Sequence, residues 1–210
     1  MHLQRWISGL VLAPILILFT LYAPLWFFTL LILSLVFVGL REFYGLVLPG
    51  LPPREQTAGI LLSLLPPLAY SSPEPLCFHA ALALLLIFLF IRALGAPDSF
   101  AARVDRTAKQ LLGFLYVGVF LAHFILLRRF PSGPHWVLFT LVAVFSGDTA
   151  AFYVGRAFGR KKLAPAISPG KTLEGGLGAA AGSAAGALLF QGLFFPGIPI
   201  FHALLLGLGV

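Results

Sequence analysis

Long apolar runs, broken by short polar and basic stretches, follow one another along the whole chain. A helix needs about 20 apolar residues, within a range of roughly 17 to 25, to cross ~30 Å of hydrocarbon. Seven runs come close: Trp6–Tyr22, Leu25–Leu40, Ala58–Tyr70, Phe78–Ile91, Leu111–Leu127, Trp136–Gly155 and Gly175–Phe195. The third and fourth are short, so tilting, extension at their ends or a re-entrant path is expected of them. A last run, Phe201–Val210, is too short to span. Barrel strands would be ~10 residues long and would alternate in polarity; these runs are continuous, so helices are expected. Pro14, Pro24, Pro66 and Pro67 lie within or at the ends of runs, where they kink or stop helices. The pattern predicts an all-α, polytopic transmembrane helical bundle of about seven spans plus a partial eighth. No linker divides it, so residues 1–210 read as one domain, with a cytoplasmic loop at about 156–174.

Composition strengthens this reading. Hydrophobic residues make up 60% of the chain and charged residues 10%, against about 25% charged in soluble domains. The single cysteine, Cys77, excludes a disulfide framework within one chain. Met1–Tyr22 has a basic start at Arg5 but no clear small-x-small cleavage site, and reads as a retained first span. The net charge of +7 does not point to nucleic acid, because the basic residues lie between apolar runs.

Those basic residues set the orientation. With the N-terminus in the cytoplasm, that side receives Arg5, Arg41, Arg54, Arg92, Arg103, Arg106, Lys109, Arg156, Arg160, Lys161, Lys162 and Lys171. The outer side receives only Arg128 and Arg129. His79, His123, His135 and His202 are scattered, and none reads as a ligand.

One stretch, Phe145–Gly182, carries chemistry. Asp148 is the only acidic residue inside a predicted span. A charge near the bilayer centre costs about 2.5–3.5 kcal/mol and commonly lines a polar cavity or pathway. Asp148 lies about 10 Å from the expected span end at Gly155, at 1.5 Å per residue. Gly147, Ala151, Gly155 and Gly159 recur every fourth residue, a stripe that lets another helix pack closely. The basic loop behind them also suits anionic headgroups. In Ser168-Pro169-Gly170-Lys171-Thr172, hydroxyls flank a lysine, and the proline and glycine are expected to set a turn. Glu174 and a glycine-rich helix start follow. Helix N-terminal N–H groups and lysine both favour phosphate.

Gly170-Lys171-Thr172 is not a phosphate-binding P-loop. That motif needs an earlier glycine at the position of Pro165, and a parallel sheet around it. Polyphosphate beside an intramembrane carboxylate implies a divalent cation, since Mg²⁺ is usually held by one or two carboxylates plus substrate phosphates. The residues therefore point to a phosphate-rich ligand meeting a lipid at the membrane surface.

From Asp148 to Gly176 the sequence DTAAFYVGRAFGRKKLAPAISPGKTLEGG resembles the phosphatidate cytidylyltransferase (CDP-diacylglycerol synthase) family. The shared pattern is an aspartate, small residues and an aromatic pair, then G-R-x-F-G-[KR]-x-K-L and S-P-[KR]-K-T-x-E-G. Weaker agreement extends through Arg5, Pro14, Arg41-Glu42-Phe43 and Leu115-Tyr116-Val117. The resemblance implies transfer from CTP to phosphatidate, giving CDP-diacylglycerol and pyrophosphate, with Mg²⁺ and room for a second cation. It implies Asp148 and Lys171 as catalytic residues, Asp148 also as a metal ligand. It implies Ser168, Thr172, Glu174, Arg156, Lys161 and Lys162 as nucleotide- or phosphate-binding residues, with Glu174 alternatively orienting Lys171 or capping the next helix. The partners implied are CTP, phosphatidate and membrane lipids, without nucleic acid, in a bacterial-type inner membrane with the N-terminus cytoplasmic; the oligomeric state is open, a homodimer among the options.

Two departures stand out. Gly170 occupies a position that is usually basic in the family, and the family's C-terminal H-G-G-x-x-D-R-x-D signature does not occur in these residues. The expectation is a C-terminally truncated chain with little or no activity alone, which the coding sequence beyond Val210 would test. The alternatives are a CTP-dependent polyprenol or phytol kinase, releasing CDP, and a non-enzymatic lipid-binding or transport protein. Transport lost in Asp148→Asn with nucleotide binding intact would favour the last.

Overall fold

A computed structural model describes residues 13–95, 99–166 and 168–209. The expectations for Arg5, for the start of the Trp6–Tyr22 run and for Val210 fall outside these residues. The chain divides into two compact units, one ending at Pro131 and one beginning at Ser132.

Among the described residues, α1 (Ala13–Tyr22) is the first helix of the first unit. Pro24 then caps α2 (Leu25–Val47). Every fourth residue of α2 from Phe28, namely Ile32, Val36, Leu40 and Tyr44, is buried, with no member above 5% exposed. A four-residue step stays close to one face of a helix with 3.6 residues per turn. The other face shows Trp26, Leu30, Leu35 and Val38 outward, as expected of a surface solvated by lipid.

The third apolar run does not form one helix. It is split between α3 (Pro53–Ser63) and α4 (Leu65–Ala69). Pro66 and Pro67 have no N–H to continue the helical hydrogen-bond ladder, which accounts for the break. The fourth run gains residues at both ends and becomes α5 (Pro75–Gly95). The fifth lies within a longer helical stretch: α6 (Phe100–Gly113), a π-helical turn (Phe114–Val119) and α7 (Phe120–Arg129). Phe114 is buried against Leu85 and Leu89 of α5. The Tyr44 hydroxyl donates to the Gln110 carbonyl at 2.8 Å, tying α2 to α6.

The two arginines that the charge bias left on the outer side have structural partners. Arg128 Nη2 donates to the Ala23 carbonyl at 2.9 Å, at the break between α1 and α2, and its guanidinium lies 6.0 Å from the Phe28 ring centroid. Arg129 Nη1 donates to the Tyr70 carbonyl at 2.7 Å and also to the Ser72 carbonyl. Helix ends leave carbonyls without intrahelical partners, and these side chains satisfy them. Replacing Arg128 with methionine keeps the aliphatic bulk and deletes the donor. It should destabilise the protein by about 1–3 kcal/mol, read as a lower midpoint of thermal unfolding in detergent.

The second unit is a helix pair with a small hairpin between its members. It comprises α8 (Gly133–Phe158), β1 (Lys162–Ala164), β2 (Ser168–Thr172), α9 (Leu173–Phe194) and α10 (Ile200–Leu208). The strands are antiparallel, Lys162 opposite Thr172 and Ala164 opposite Ser168, with an irregularity between the two pairs. The last apolar run is α10. It packs Gly207 against Ala187 of α9, and Gln191 Nε2 donates to the Ile198 carbonyl at 2.8 Å across the connecting turn.

Among the described residues, five helical stretches are long and apolar enough to cross a membrane: Leu25–Val47, Pro75–Gly95, Phe100–Arg129, Gly133–Phe158 and Leu173–Phe194. The all-α transmembrane bundle expected from the sequence is present, with one short hairpin added. The seven-span count is not reproduced, because the third run is broken and the first lies partly outside the described residues.

Candidate functional site

The small-residue stripe on α8 packs against α9, and this contact builds the site. A Cβ placed on Gly147 would collide with the Ser183 hydroxyl, and one on Gly178 would lie 2.8 Å from the Val154 side chain. Only backbones bare of side chains come this close. The approach continues to the mouth of the pair, where Gly155 and Gly159 of the α8 end face the Thr172 side chain.

Thr172 is the N-cap of α9. Its hydroxyl is buried and accepts from the Gly175 N–H at 3.1 Å. The Leu173 N–H donates to the Lys161 carbonyl at 2.8 Å. Two N–H groups of the first helical turn are therefore already bonded within the protein. This narrows the sequence expectation of a phosphate cradle made by the helix start: side chains have to supply most of the attraction for an anion.

Those side chains surround a cavity of about 490 Å³ in the second unit, lined by Asp148, Phe152, Arg156, Lys171 and Thr172 among others, with Gly170, Gly175 and Gly176 in its wall. Its size falls in the range of roughly 300–1,000 Å³ usual for small-molecule sites. Helix α8 supplies Asp148 and Arg156, two turns apart on one face, and β2 supplies Lys171. Among the described residues, the Asp148 carboxylate, the Arg156 guanidinium and the Lys171 ammonium make no hydrogen bond or ion pair. One carboxylate and two cations thus face the same space, none of them neutralised by the protein.

Several sequence expectations shift in detail. Arg156 belongs to α8, which runs on to Phe158, so Asp148 stands about 15 Å from the helix end at 1.5 Å per residue. Pro169 and Gly170 lie in strand β2 and not in a turn. Ser168, Lys161, Lys162 and Glu174 are not among the cavity-lining residues. Arg160, Lys161 and Lys162 are exposed. The Glu174 carboxylate accepts backbone N–H groups, from Arg160 at 3.1 Å and from Lys161 at 3.3 Å. Phe152, which lines the cavity, escaped the sequence reading; its position one turn after Asp148 is the signal that could have found it.

Among the described residues, no group of three or more His, Cys, Asp and Glu side chains could hold a metal by itself. A single unpaired carboxylate facing a cavity with cations does suit Mg²⁺ that is shared with ligand phosphates.

Comparison with known proteins gives the family. The model of the cytidylyltransferase family matches residues 3–210. A phosphatidate cytidylyltransferase of Bacillus subtilis is 30% identical over 98% of this chain and 77% of its own length. One from Staphylococcus saprophyticus is 33% identical over 69% of this chain and 55% of its length. One from Brucella suis is 41% identical over 44% of this chain and 36% of its length. Sequence pattern, membrane fold and a family match across residues 3–210 agree: this chain belongs to the cytidylyltransferase family.

Proposed function

We propose that the cavity of the second unit binds the triphosphate of CTP and that the protein transfers its cytidylyl group to phosphatidate. The observation that carries this is the convergence of unpaired Asp148, Arg156 and Lys171 on one cavity beside membrane-spanning helices, in a chain of this family. Arg156 and Lys171 would neutralise phosphate oxygens, Lys171 as a point charge and Arg156 through its planar fork. A phosphate oxygen of the lipid attacks the α-phosphorus of CTP, the bond from that phosphorus to the bridging oxygen breaks, and pyrophosphate leaves. There is little covalent chemistry for side chains to perform, so positioning and charge neutralisation supply the acceleration. Asp148 and the CTP phosphates would hold Mg²⁺, which neutralises phosphate charge when bound. The exposed Arg160, Lys161 and Lys162 suit the anionic membrane surface where phosphatidate resides. The setting this implies is a multi-pass protein of a bacterial-type inner membrane, with the N-terminus and the hairpin on the cytoplasmic side.

The products test the reading. With CTP labelled at the α-phosphate, label should pass into lipid; with label at the γ-phosphate, it should appear in pyrophosphate. Transfer of γ-label into lipid with release of CDP would show a lipid kinase instead.

Gly170 offers a gain-of-affinity test. A Cβ there meets nothing within 4 Å, and among the described residues no glycine has a positive φ, so a side chain is tolerated. Gly170→Lys adds a third cation to the cavity wall. CTP affinity should rise by about 1 kcal/mol, roughly fivefold, with the gain shrinking as salt is added.

A further inference from the structure

Two sets of hydrogen bonds tie the end of α8 to the start of α9 at the base of the hairpin. The Leu173 N–H donates to the Lys161 carbonyl at 2.8 Å. Beside it, the Glu174 carboxylate receives the N–H groups of Arg160 and Lys161 at 3.1 and 3.3 Å. Residues 160–161 leave α8, and residues 173–174 begin α9. The two cations of the cavity hang from opposite sides of this link: Arg156 lies four residues before Arg160, and Lys171 three residues before Glu174. Five cations stand between residues 156 and 171, yet among the described residues Glu174, the carboxylate that follows them, makes no ion pair with any of them. Its oxygens are occupied by neutral amides. Its position departs from a capping box, in which the acidic side chain sits at the third helical residue and returns to the cap residue's own N–H. Here Gly175 holds that third position, and Glu174, one residue earlier, reaches across to the residues between α8 and β1.

Resting on the reading of the cavity as a nucleotide site, we infer that Glu174 is a positioning residue that sets the spacing of Arg156 and Lys171 and does not touch the nucleotide. The carboxylate fixes the backbone at the root of β1, and through the Leu173–Lys161 bond it fixes the end of β2 that bears Lys171. Without it, the three-residue strand β1 keeps its ladder and the Leu173–Lys161 bond but loses the carboxylate that holds its root. The phosphate-binding cations then sample a wider range of separations, and an ordering cost is added to binding.

The test uses the whole chain in detergent or nanodiscs, with two readouts on wild type, Glu174→Ala and Glu174→Gln. The first is amide hydrogen exchange at Arg160 and Lys161, which needs no nucleotide. The second is equilibrium binding of CTP. Alanine should speed exchange at both amides and weaken CTP binding by about tenfold. Glutamine keeps an acceptor oxygen and should restore both readouts to within about threefold of wild type. Unchanged exchange in the alanine variant would overturn the clamp. Faster exchange with unchanged CTP affinity would overturn its role in spacing the cations. Amide protection retained in the glutamine variant with binding as poor as in alanine would show that the charge itself acts on the ligand, and would also overturn the inference. If the wild type binds no CTP, the nucleotide reading fails and takes the functional half of this inference with it, while exchange still decides whether the clamp exists.

Discussion

Replacing Asp148 with asparagine should abolish the Mg²⁺ dependence of CTP binding. In the wild type, adding Mg²⁺ is expected to tighten CTP by about 2 kcal/mol, roughly 30-fold. In the variant, affinity with Mg²⁺ should equal affinity with chelator. Asparagine matches aspartate in shape and removes only the charge. Among the described residues the Asp148 carboxylate makes no hydrogen bond or ion pair, so no folded-state interaction is lost. The midpoint of thermal unfolding should therefore stay within error or rise slightly, because an unpaired charge within a spanning helix is itself a cost. A carboxylate kept only for packing behaves in the opposite way: its loss lowers stability and leaves the metal dependence of CTP binding intact. Measuring both quantities on one preparation separates the two.

The second large effect is on folding. Gly182→Val should prevent α8 and α9 from packing, at a cost of about 3 kcal/mol or more. A Cβ at Gly182 would collide with the Ala150 side chain and lie 2.7 Å from the Ser146 carbonyl oxygen. Neither neighbour can yield: one is a methyl group on a helix, the other is backbone. The helices must separate, which opens the stripe Gly147, Ala151, Gly155 and takes apart the wall of the cavity. The expected result is loss of the monodisperse, folded species from detergent extracts. Gly192, on the same helix, is the control; nothing lies within 4 Å of its Cβ position, and Gly192→Ala should be recovered at wild-type levels.

The four-residue step of Gly147, Ala151, Gly155 and Gly159 was readable in the sequence because close helix packing needs small residues and a helix presents every fourth residue to the same side. The helix it meets carries Gly178, Gly182 and Gly186 at the same step. Asp148 was readable because a charge inside an apolar run has few structural uses. The hairpin was not. Its first strand has three residues, and Ser168–Thr172 shows no alternation of exposed and buried positions, so no period of two is there to detect. Pro169-Gly170 carries the usual signal of a turn, yet the chain is extended there because β2 pairs with β1 and Leu173 bonds to Lys161. The pairing of Lys162 with Thr172 and the bond from Leu173 to Lys161 join residues ten and twelve apart, which local pattern does not report.

Charged residues were legible as charges but not as partners. Arg128 and Arg129 read as two exceptions to the topological bias; their work is to satisfy the carbonyls of Ala23, Tyr70 and Ser72 at breaks between helices. Glu174 reads as a phosphate ligand, a cap or a partner for Lys171, and its oxygens receive the backbone amides of Arg160 and Lys161. In both cases the side-chain type stood in the sequence, while its target depended on where a distant helix end came to lie. The third apolar run is a related case, since a pair of prolines was visible and the fold shows that it divides the run into α3 and α4.

Photo-crosslinking with an azido analogue of CTP, followed by peptide mapping, tests the central claim most directly because it asks where the nucleotide sits without requiring turnover. Label should fall on peptides containing Asp148–Arg156 and Leu163–Ala179, and excess CTP should suppress it. Label confined to peptides before Pro131, or label in the second unit that excess CTP leaves unchanged, would contradict the claim.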